Sequence, residues 1–319
     1  MNGVKTLRLT WSCGRFALGA LACGAIIAAA VADLCCKPAA NGGASAGRMV
    51  VAVSILPQSY FVQRIGGDYV SVTTLVGPGQ EPHTFDPTPK QLSFLAQAKL
   101  YFTIGIGFEA GLVGKIRGAF PNARIVDMAQ GVKFRAMTAE EAGAEEDAHL
   151  TAGEPDPHTW LDPMRAKIEA GNTCDALAQA DAAHAADYRK NLTLLAADLD
   201  AVDAQLAKSL APLKGRDFFV YHPAFGYFGD AYGLRQVPVE LEGKEPSAKQ
   251  LTALIERARR EKVRVIFVQP QFSPKNAETV AQAIGGAVVP MDDLSPDYIA
   301  NLQDMAAKIE KALSREKNQ

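Results

Sequence analysis

Two similar phrases in the sequence each place a histidine directly after a proline. Residues 79–87 read GQEPHTFDP and residues 155–163 read PDPHTWLDP, so His83 and His158 share an acid-Pro before them and an Asp-Pro after them. The chain has only five histidines, which makes the repetition informative. Neutral imidazole is a common ligand of divalent transition metals, zinc above all. The two phrases therefore predict a pair of metal ligands.

A third histidine has a comparable setting. His222 precedes a proline in YHPAFGYFGDAYG and directly follows the apolar run DFFVY. Proline stiffens each loop by fixing its own φ and restricting the residue before it, so an imidazole held there loses less entropy on binding. The neighbouring carboxylates of Glu81 and Asp156 can accept the second imidazole N–H and thereby orient His83 and His158.

Three imidazoles and one carboxylate would complete a tetrahedral zinc shell. We favour Asp292 in VVPMDDLSP as the carboxylate, because it follows the last predicted strand. Glu81 and Asp293 remain alternatives. For any one of the histidines alone, an ordinary His-Pro turn is the competing interpretation.

The elements that position these residues alternate between strands and helices, which predicts α/β lobes with mostly parallel sheets. Ligands of open α/β sheets bind beyond the carboxyl ends of the strands, where His83 and His222 are expected. His158 is expected in a loop before a helix. The strand predictions are MVVAVSI, YVSVTTLVG, KLYFTIG, ARIVDM, DFFVYH, QVPVEL, VRVIFVQ and AVVPM.

A different pattern separates the two series of strands. From Asp181 to about Leu210, apolar residues recur every three or four positions without an intervening proline or glycine. This spacing predicts one helix of about 30 residues, or about 45 Å. A second amphipathic helix is predicted over about 296–313.

The N-terminus has the features of a secretory signal: basic residues, an apolar stretch and a small-x-small pattern ending at Ala32. A retained membrane anchor or a lipoprotein signal are the alternatives. We predict a signal peptide over 1–32, a flexible tether over 33–48, an N-terminal metal-binding lobe over 49–180, a linking helix over 181–211 and a C-terminal metal-binding lobe over 212–319.

Charge and cysteine usage restrict the class of protein. Without residues 1–32 the chain has 30 Lys and Arg against 35 Asp and Glu. This acidic balance argues against a nucleic-acid partner. Of five cysteines only Cys174 lies in the predicted folded region, so disulfides are not expected to stabilise it.

Residues 138–156 contain seven carboxylates, His149 and no basic residue. Such a stretch is most simply a solvated acidic loop, although it could also capture cations weakly and pass them to a nearby site. The remaining histidine, His184, is expected at the surface.

The motifs GPGQEPHTFDPTPKQL, DPHTWLDP, YHPAFGYFGDAYGL and VVPMDDLSPDYIANL, in this order around a long helix, resemble those of the metal-binding solute-binding proteins of zinc and manganese ABC transporters. The resemblance covers about residues 49–315. It implies two lobes on a rigid helix, one divalent ion in the cleft between them, and delivery of that ion to a membrane permease.

The resemblance also implies a ligand set, which falls on His83, His158, His222 and Asp292. Manganese-selective members usually have glutamate at the position of His222, so zinc is favoured over manganese. Zinc members often have a long histidine-rich loop where this chain has the acidic stretch. Many members have Glu-Pro where this chain has Gln269-Pro270, so Gln269 receives no ligand role.

We therefore expect a monomeric, periplasmic zinc-binding protein that performs no catalysis. A manganese-binding member of the same family is one alternative. A second is a periplasmic zinc hydrolase with Glu81 as general base, although the sequence lacks the His-Glu-x-x-His motif. A third is an adhesin or a metallochaperone for another exported protein.

Overall fold

The first half of the chain forms a parallel sheet flanked by helices. The computed structural model describes residues 47–119, 123–142, 153–239, 248–260 and 262–316. The first half contains β1 (Met49–Val53), α1 (Leu56–Gly66), β2 (Val70–Thr74), α2 (Pro89–Leu95), β3 (Leu100–Thr103), α3 (Gly107–Ala119), β4 (Arg124–Asp127), α4 (Ala139–Ala142) and α5 (Pro163–Ala180). The strand order is β2-β1-β3-β4, and every neighbouring pair is parallel.

One 26-residue helix, α6 (Ala185–Leu210), follows the first sheet. Single 3-10 turns, Ala182–His184 and Ala211–Leu213, extend it at both ends. The apolar stripe predicted from the spacing is buried at Tyr188, Leu195, Leu199, Val202, Leu206 and Leu210. An apolar stripe of this length allows α6 to pack against more than one neighbouring element.

The second half repeats the architecture of the first. It contains β5 (Asp217–Val220), α7 (Gly226–Tyr232), β6 (Arg235–Pro238), α8 (Ala248–Arg260), β7 (Val265–Val268), α9 (Lys275–Ile284), β8 (Ala287–Pro290) and α10 (Tyr298–Glu316). The strand order β6-β5-β7-β8 is the counterpart of the first sheet, and again every pair is parallel. The predicted two-lobe α/β class is confirmed.

The apolar core is continuous across α6. This helix contacts α1 and α5 of the first half and α7 and α10 of the second. Helix α10 begins with Tyr298, whose ring centroid lies 4.8 Å from that of Phe61 on α1. The Tyr298 hydroxyl donates a hydrogen bond of 2.5 Å to the carbonyl of Trp160. Because one core includes residues of β1, α6 and α10, wide separation of the lobes would expose apolar surface.

Each predicted strand corresponds to a strand of the structure, and the C-terminal helix begins and ends within three residues of its predicted bounds. Residues 1–46, which include the predicted signal segment and most of the tether, lie outside the described residues, as do positions 143–152 with His149. Among the described helices, none has both the length and the apolar character needed to cross a bilayer.

One buried carboxyl group lies in α5 beneath the loop of His158. Glu169 is fully buried, and its Oε1 accepts a hydrogen bond of 2.6 Å from the Thr159 hydroxyl. Its Oε2 has no hydrogen-bond partner among the described residues. Burial raises the pKa of Glu169 to about 8, so the protonated acid predominates at neutral pH.

Glu169 therefore makes the stability of the protein depend on pH. Its pKa lies above the ordinary value of 4.5, so its stabilising contribution is complete below pH 4.5 and is lost as the pH rises toward 8. We expect Glu169→Gln to flatten the decline in free energy of unfolding between pH 5 and 8. Denaturant unfolding at several pH values measures this, with the exposed Glu278→Gln on α9 as control. An unchanged pH slope in Glu169→Gln would contradict the assignment.

The stripe of α6 provides a second test. Leu199 is completely buried, whereas Leu194 on the same helix is 56% exposed. Leu199→Ala is expected to lower the free energy of unfolding by about 2–5 kcal/mol, because it leaves a cavity at the junction of both lobes. Leu194→Ala should change it by less than about 0.5 kcal/mol. Equal effects in urea unfolding would show that α6 does not organise the core in this way.

Candidate metal centre

Three histidines that are distant in the sequence meet in the structure. One ring nitrogen from each of His83, His158 and His222 lies within 4.8 Å of the others. The Nε2 atoms of His158 and His222 are 3.3 Å apart. Two nitrogens bound to one tetrahedral zinc, each about 2.05 Å from it, lie about 3.3 Å apart. These two imidazoles already have the separation of a shared metal site.

The fold explains why these side chains converge. His83 lies in the loop after β2, and His222 lies in the loop that begins where β5 ends. His158 precedes a 3-10 turn, Thr159–Leu161, which leads into α5. In the second sheet, β5 and β7 are neighbours, and the chain continues from β5 to β6 on one side and from β7 to β8 on the other. Ligands of open α/β sheets bind in the crevice beyond the carboxyl ends of two such strands. His83 and His222 lie beyond the carboxyl ends of strands, as the sequence predicts.

Buried hydrogen bonds fix the ring of His158. Its Nδ1 lies 2.8 Å from Oδ1 of Asp156, and its backbone N–H donates to the same oxygen over 3.0 Å. Since a carboxylate only accepts, Nδ1 carries the proton and Nε2 faces the cluster. Burial lowers the pKa of His158. The ring is thus neutral and oriented for metal binding.

Asp156 stays ionised despite its own burial. Burial alone would raise the pKa of this carboxyl group, but the hydrogen bonds from His158 and from the Arg135 guanidinium outweigh that effect and lower it. Arg135 Nη1 is 2.8 Å from Asp156 Oδ2. The predicted role of Asp156 in orienting His158 agrees with this geometry, and Arg135 is a contributor that the sequence gave no reason to select.

The loop of His222 is held by a glutamine. The side-chain amide of Gln269 donates to the carbonyl of His222 over 2.8 Å and accepts from its backbone N–H over 3.2 Å. The ring of His222 stacks on Phe272, with centroids 5.2 Å apart. Gln269 follows β7 directly, so it joins the ends of two neighbouring strands. Its partner is the backbone of one of the three clustered histidines, a role that the sequence analysis did not anticipate.

Glu81 organises the loop of His83. Its two carboxylate oxygens accept from the backbone N–H groups of His83 and Thr84, each over 2.7 Å, and from the Thr84 hydroxyl over 2.8 Å. The sequence predicts that Glu81 accepts from the imidazole of His83, and these bonds show that it also accepts from the backbone of the His83 loop. His83 is half-buried, whereas His158 and His222 are 2% and 4% exposed. His83 is therefore the most accessible of the three rings.

The two consecutive aspartates after β8 have different surroundings. Asp292 Oδ1 accepts from Leu294 N over 2.9 Å and from Gln271 Nε2 over 3.0 Å, and Asp292 does not line the cavity between the histidines. Asp293 lines that cavity, is 5% exposed, and has an Oδ1 without a hydrogen-bond partner among the described residues. Burial raises the pKa of Asp293 to about 7. The geometry thus favours Asp293 over the predicted Asp292.

The different surroundings of the two aspartates have a simple physical reason. Asp293 begins a bend of the chain, so its carboxylate and that of Asp292 have different partners. The hydrogen bond from Leu294 N uses the Asp292 carboxylate to close a local turn, a common function of aspartate in loops. The sequence MDDL does not reveal which aspartate closes the turn.

The cavity between the histidines is small, with a volume of about 10 Å³. That is close to the minimum that holds one water molecule. Its lining comprises Glu81, Pro82, His83, Ile106, His158, Trp160, His222, Gln271, Phe272, Asp293 and Leu294. The space suits a single atom or ion surrounded by nitrogen and oxygen donors.

Trp160 of the repeated phrase connects the lobes beside the cavity. Its indole N–H donates to the carbonyl of Asp293 over 2.8 Å, and its ring centroid lies 5.3 Å from that of His158. His184 takes no part in this cluster, because it stacks on Tyr69 and its Nδ1 lies 2.7 Å from Asp181. It is half-buried rather than fully at the surface.

Comparisons with known proteins agree with this geometry. The family model described as "Zinc-uptake complex component A periplasmic" matches residues 51–312. A "putative metal-binding protein" of Treponema pallidum (strain Nichols) is 31% identical, with 76% of this chain and 78% of that protein covered. The "High-affinity zinc uptake system protein ZnuA" of Bacillus subtilis (strain 168) is 29% identical, over 75% of this chain and 76% of that protein.

A solved structure reported as "Crystal structure of ZnuA" superposes with a TM-score of 0.77 at 38% sequence identity. The alignment covers 83% of this chain and 99% of that chain. The family match, the two-lobe fold and the histidine cluster agree with one another. The chain belongs to the family of periplasmic A components of zinc-uptake complexes.

Proposed function

We propose that this protein binds one zinc ion between its lobes and delivers it to the permease of an ABC transporter. The observation that carries the proposal is the convergence of three imidazoles and one buried carboxylate oxygen on a small cavity. That oxygen has no hydrogen-bond partner among the described residues. His83, His158, His222 and Asp293 are the proposed ligands. They come from both lobes, so a bound ion would connect the two halves.

The donor set supports zinc over manganese. Three nitrogens and one oxygen in a tetrahedral arrangement suit zinc, whereas manganese prefers sites richer in oxygen. His222 supplies an imidazole nitrogen at the position where, by the resemblance described above, manganese-selective members usually have glutamate. The family description and the Bacillus subtilis relative both refer to zinc uptake.

Binding without catalysis is supported by the space at the site. A zinc hydrolase needs an open coordination position and room for its substrate, and the cavity of about 10 Å³ between the histidines is small for that purpose. The candidate general base, Glu81, has both carboxylate oxygens bonded to its own loop. These contacts leave it poorly placed to activate a water molecule. The adhesin and metallochaperone alternatives would be distinguished by the partner that receives the ion.

The electrostatics indicate how the ion is taken up and released. His158 is neutral and needs no deprotonation, whereas Asp293, with a pKa raised to about 7, loses a proton when the cation arrives. Acidification favours protonated ligands and therefore weakens binding. Since both lobes pack on α6, we propose small lobe movements and release at the permease, where a ligand is displaced.

The setting of this function is extracytoplasmic. We propose that residues 1–32 export the chain, that 33–48 act as a tether, and that 49–180 and 212–319 each contribute ligands across the helix of 181–211. The family description as periplasmic supports the extracytoplasmic setting. We further propose that the protein acts as a monomer, since its ligands all come from one chain.

Calorimetric titration of metal-stripped protein should show one tight zinc site per chain. His222→Ala is expected to weaken zinc binding by at least about tenfold, because loss even of an outer-shell partner typically costs that much. His184→Ala is the matched control, since His184 lies outside the cluster and pairs with Asp181. Zinc binding as tight as that of the wild type in a variant lacking His83, His158 and His222 would refute the site.

The two aspartates allow a paired test. Asp293→Asn should weaken zinc binding by more than about tenfold and reduce the proton release that accompanies binding near pH 7. Asp292→Asn should change the affinity by less than about threefold, because an amide oxygen can still accept from Leu294 N. Competition with a chromophoric zinc chelator measures both variants. The reverse order of effects would restore Asp292 as the ligand.

A further inference from the structure

We propose that Arg135 is a positioning residue for the metal site: it links the two lobes and holds Asp156 so that His158 directs Nε2 toward the ion. This inference rests on the proposed function, because it concerns the readiness of the same site. Arg135 lies between β4 and α4, outside the cavity lining, and so acts through Asp156 rather than on the ion.

The guanidinium of Arg135 makes three carboxylate contacts at once. Its side chain is only 15% exposed. Nη1 donates to Asp156 Oδ2 over 2.8 Å, Nη2 lies 3.0 Å from Glu141 Oε1, and Nε lies 3.0 Å from Asp230 Oδ2. Asp156 and Glu141 belong to the first lobe, whereas Asp230 lies on α7 of the second. A planar guanidinium with several fixed donors is suited to such a junction, and an ammonium is not.

The two oxygens of Asp156 are divided between the arginine and the histidine. Oδ2 is bonded to Arg135, while Oδ1 accepts from the ring and the backbone of His158. Since a carboxylate is planar, fixing Oδ2 also fixes the direction of Oδ1. A hydrogen bond of this kind sets the tautomer of a metal-binding imidazole and the basicity of its other nitrogen.

The second lobe fixes the backbone on both sides of this pair. The Tyr227 hydroxyl donates to the carbonyl of Asp156 over 2.8 Å and accepts from the N–H of Arg135 over 3.0 Å. Gln236 of β6 donates to Glu141 over 2.7 Å. Within the first lobe, Asp156 N donates to the Arg135 carbonyl over 2.9 Å. Hydrogen bonds from both lobes therefore fix the positions of Arg135 and Asp156 relative to each other.

Glycine at position 226 makes this approach feasible. A Cβ atom placed on Gly226, the first residue of α7, would lie 2.0 Å from Arg135 Nη1 and 2.8 Å from Asp156 Oδ2. Any larger residue must displace the ion pair, because the first distance is well inside van der Waals contact. The start of α7 is thus packed directly on the contact that orients His158.

A second arginine provides a matched control. Arg165 also lies over the Tyr227 ring, with its guanidinium carbon 4.5 Å from the centroid, compared with 5.9 Å for Arg135. Its guanidinium bonds go to Asp162 and to the carbonyl of Lys133. Arg165→Met removes the positive charge that lies over the Tyr227 ring but leaves the hydrogen bond between Arg135 and Asp156 in place.

The tautomer of His158 is the decisive measurement. In metal-free, full-length protein with ¹⁵N-labelled histidine, ring-nitrogen NMR distinguishes Nδ1–H from Nε2–H, and His158→Gln identifies the signals. We expect the wild type and Arg165→Met to show His158 with the proton on Nδ1. Arg135→Met should show a substantial population with the proton on Nε2, because Asp156 is then free to turn.

Zinc affinity is measured in parallel by chelator competition. We expect Arg135→Met to bind zinc at least about tenfold more weakly and Arg165→Met to remain within about twofold of the wild type, as the loss of an outer partner implies. Arg135→Lys should restore little, because it lacks the planar fork. The proposal requires both changes in Arg135→Met. A retained Nδ1–H tautomer, or an affinity within about twofold of the wild type, would overturn it.

Gly226→Ala tests the same contact without removing a charge, and it decides the matter if Arg135→Met does not fold. The added methyl should displace Arg135, shift the His158 tautomer and weaken zinc binding in the same direction. An unchanged tautomer in this variant would overturn the proposal. Should the wild type itself bind no zinc, the proposed function fails, whereas the tautomer comparison still decides whether Arg135 orients His158.

Discussion

The burial of one face of α6 fixes the distance between two sheets that have no strand in common. Leu195, Leu199, Val202 and Leu206 are packed into a core that includes residues from β1 through α10. Ring nitrogens placed a few ångströms apart tolerate little sliding of their lobes. The histidine cluster therefore depends on the packing of the apolar stripe of α6, although the two share no residue.

Two buried aspartates at this site illustrate opposite solutions to the cost of burying charge. Asp156 is ionised because Arg135 and His158 supply hydrogen bonds that outweigh desolvation. Among the described residues, Asp293 has no such partner for Oδ1, and burial raises its pKa to about 7. The first carboxylate serves to orient a neighbour. The second becomes fully ionised when a cation supplies the missing charge, as the proposed ligand role requires.

The spacing of apolar residues was sufficient to predict the strands, the long helix and the two-lobe class. Buried faces require apolar residues at alternate positions in a strand and at every third or fourth position in a helix, and this spacing is visible in the sequence. His83 and His158 were found from the repeated phrase that places each directly after a proline, and His222 was found from the proline that follows it. Asp293 was not separable from Asp292, because the direction of a loop side chain depends on tertiary context. Arg135, Gln269 and Tyr227 gave no local signal. Apart from Glu141, which lies six positions from Arg135, the partners described above are 21 to 95 positions away in the chain.

The small size of the cavity has a consequence for which cations it can accept. An ion that enters a space with room for about one water molecule must give up nearly its whole hydration shell. Mg²⁺ sheds water reluctantly and requires octahedral oxygen coordination, which three imidazoles do not supply. Under the proposed function, the nitrogen donors would compensate zinc for its lost water but would not compensate magnesium. Discrimination against the commonest divalent ion would thus come from confinement and nitrogen donors acting together.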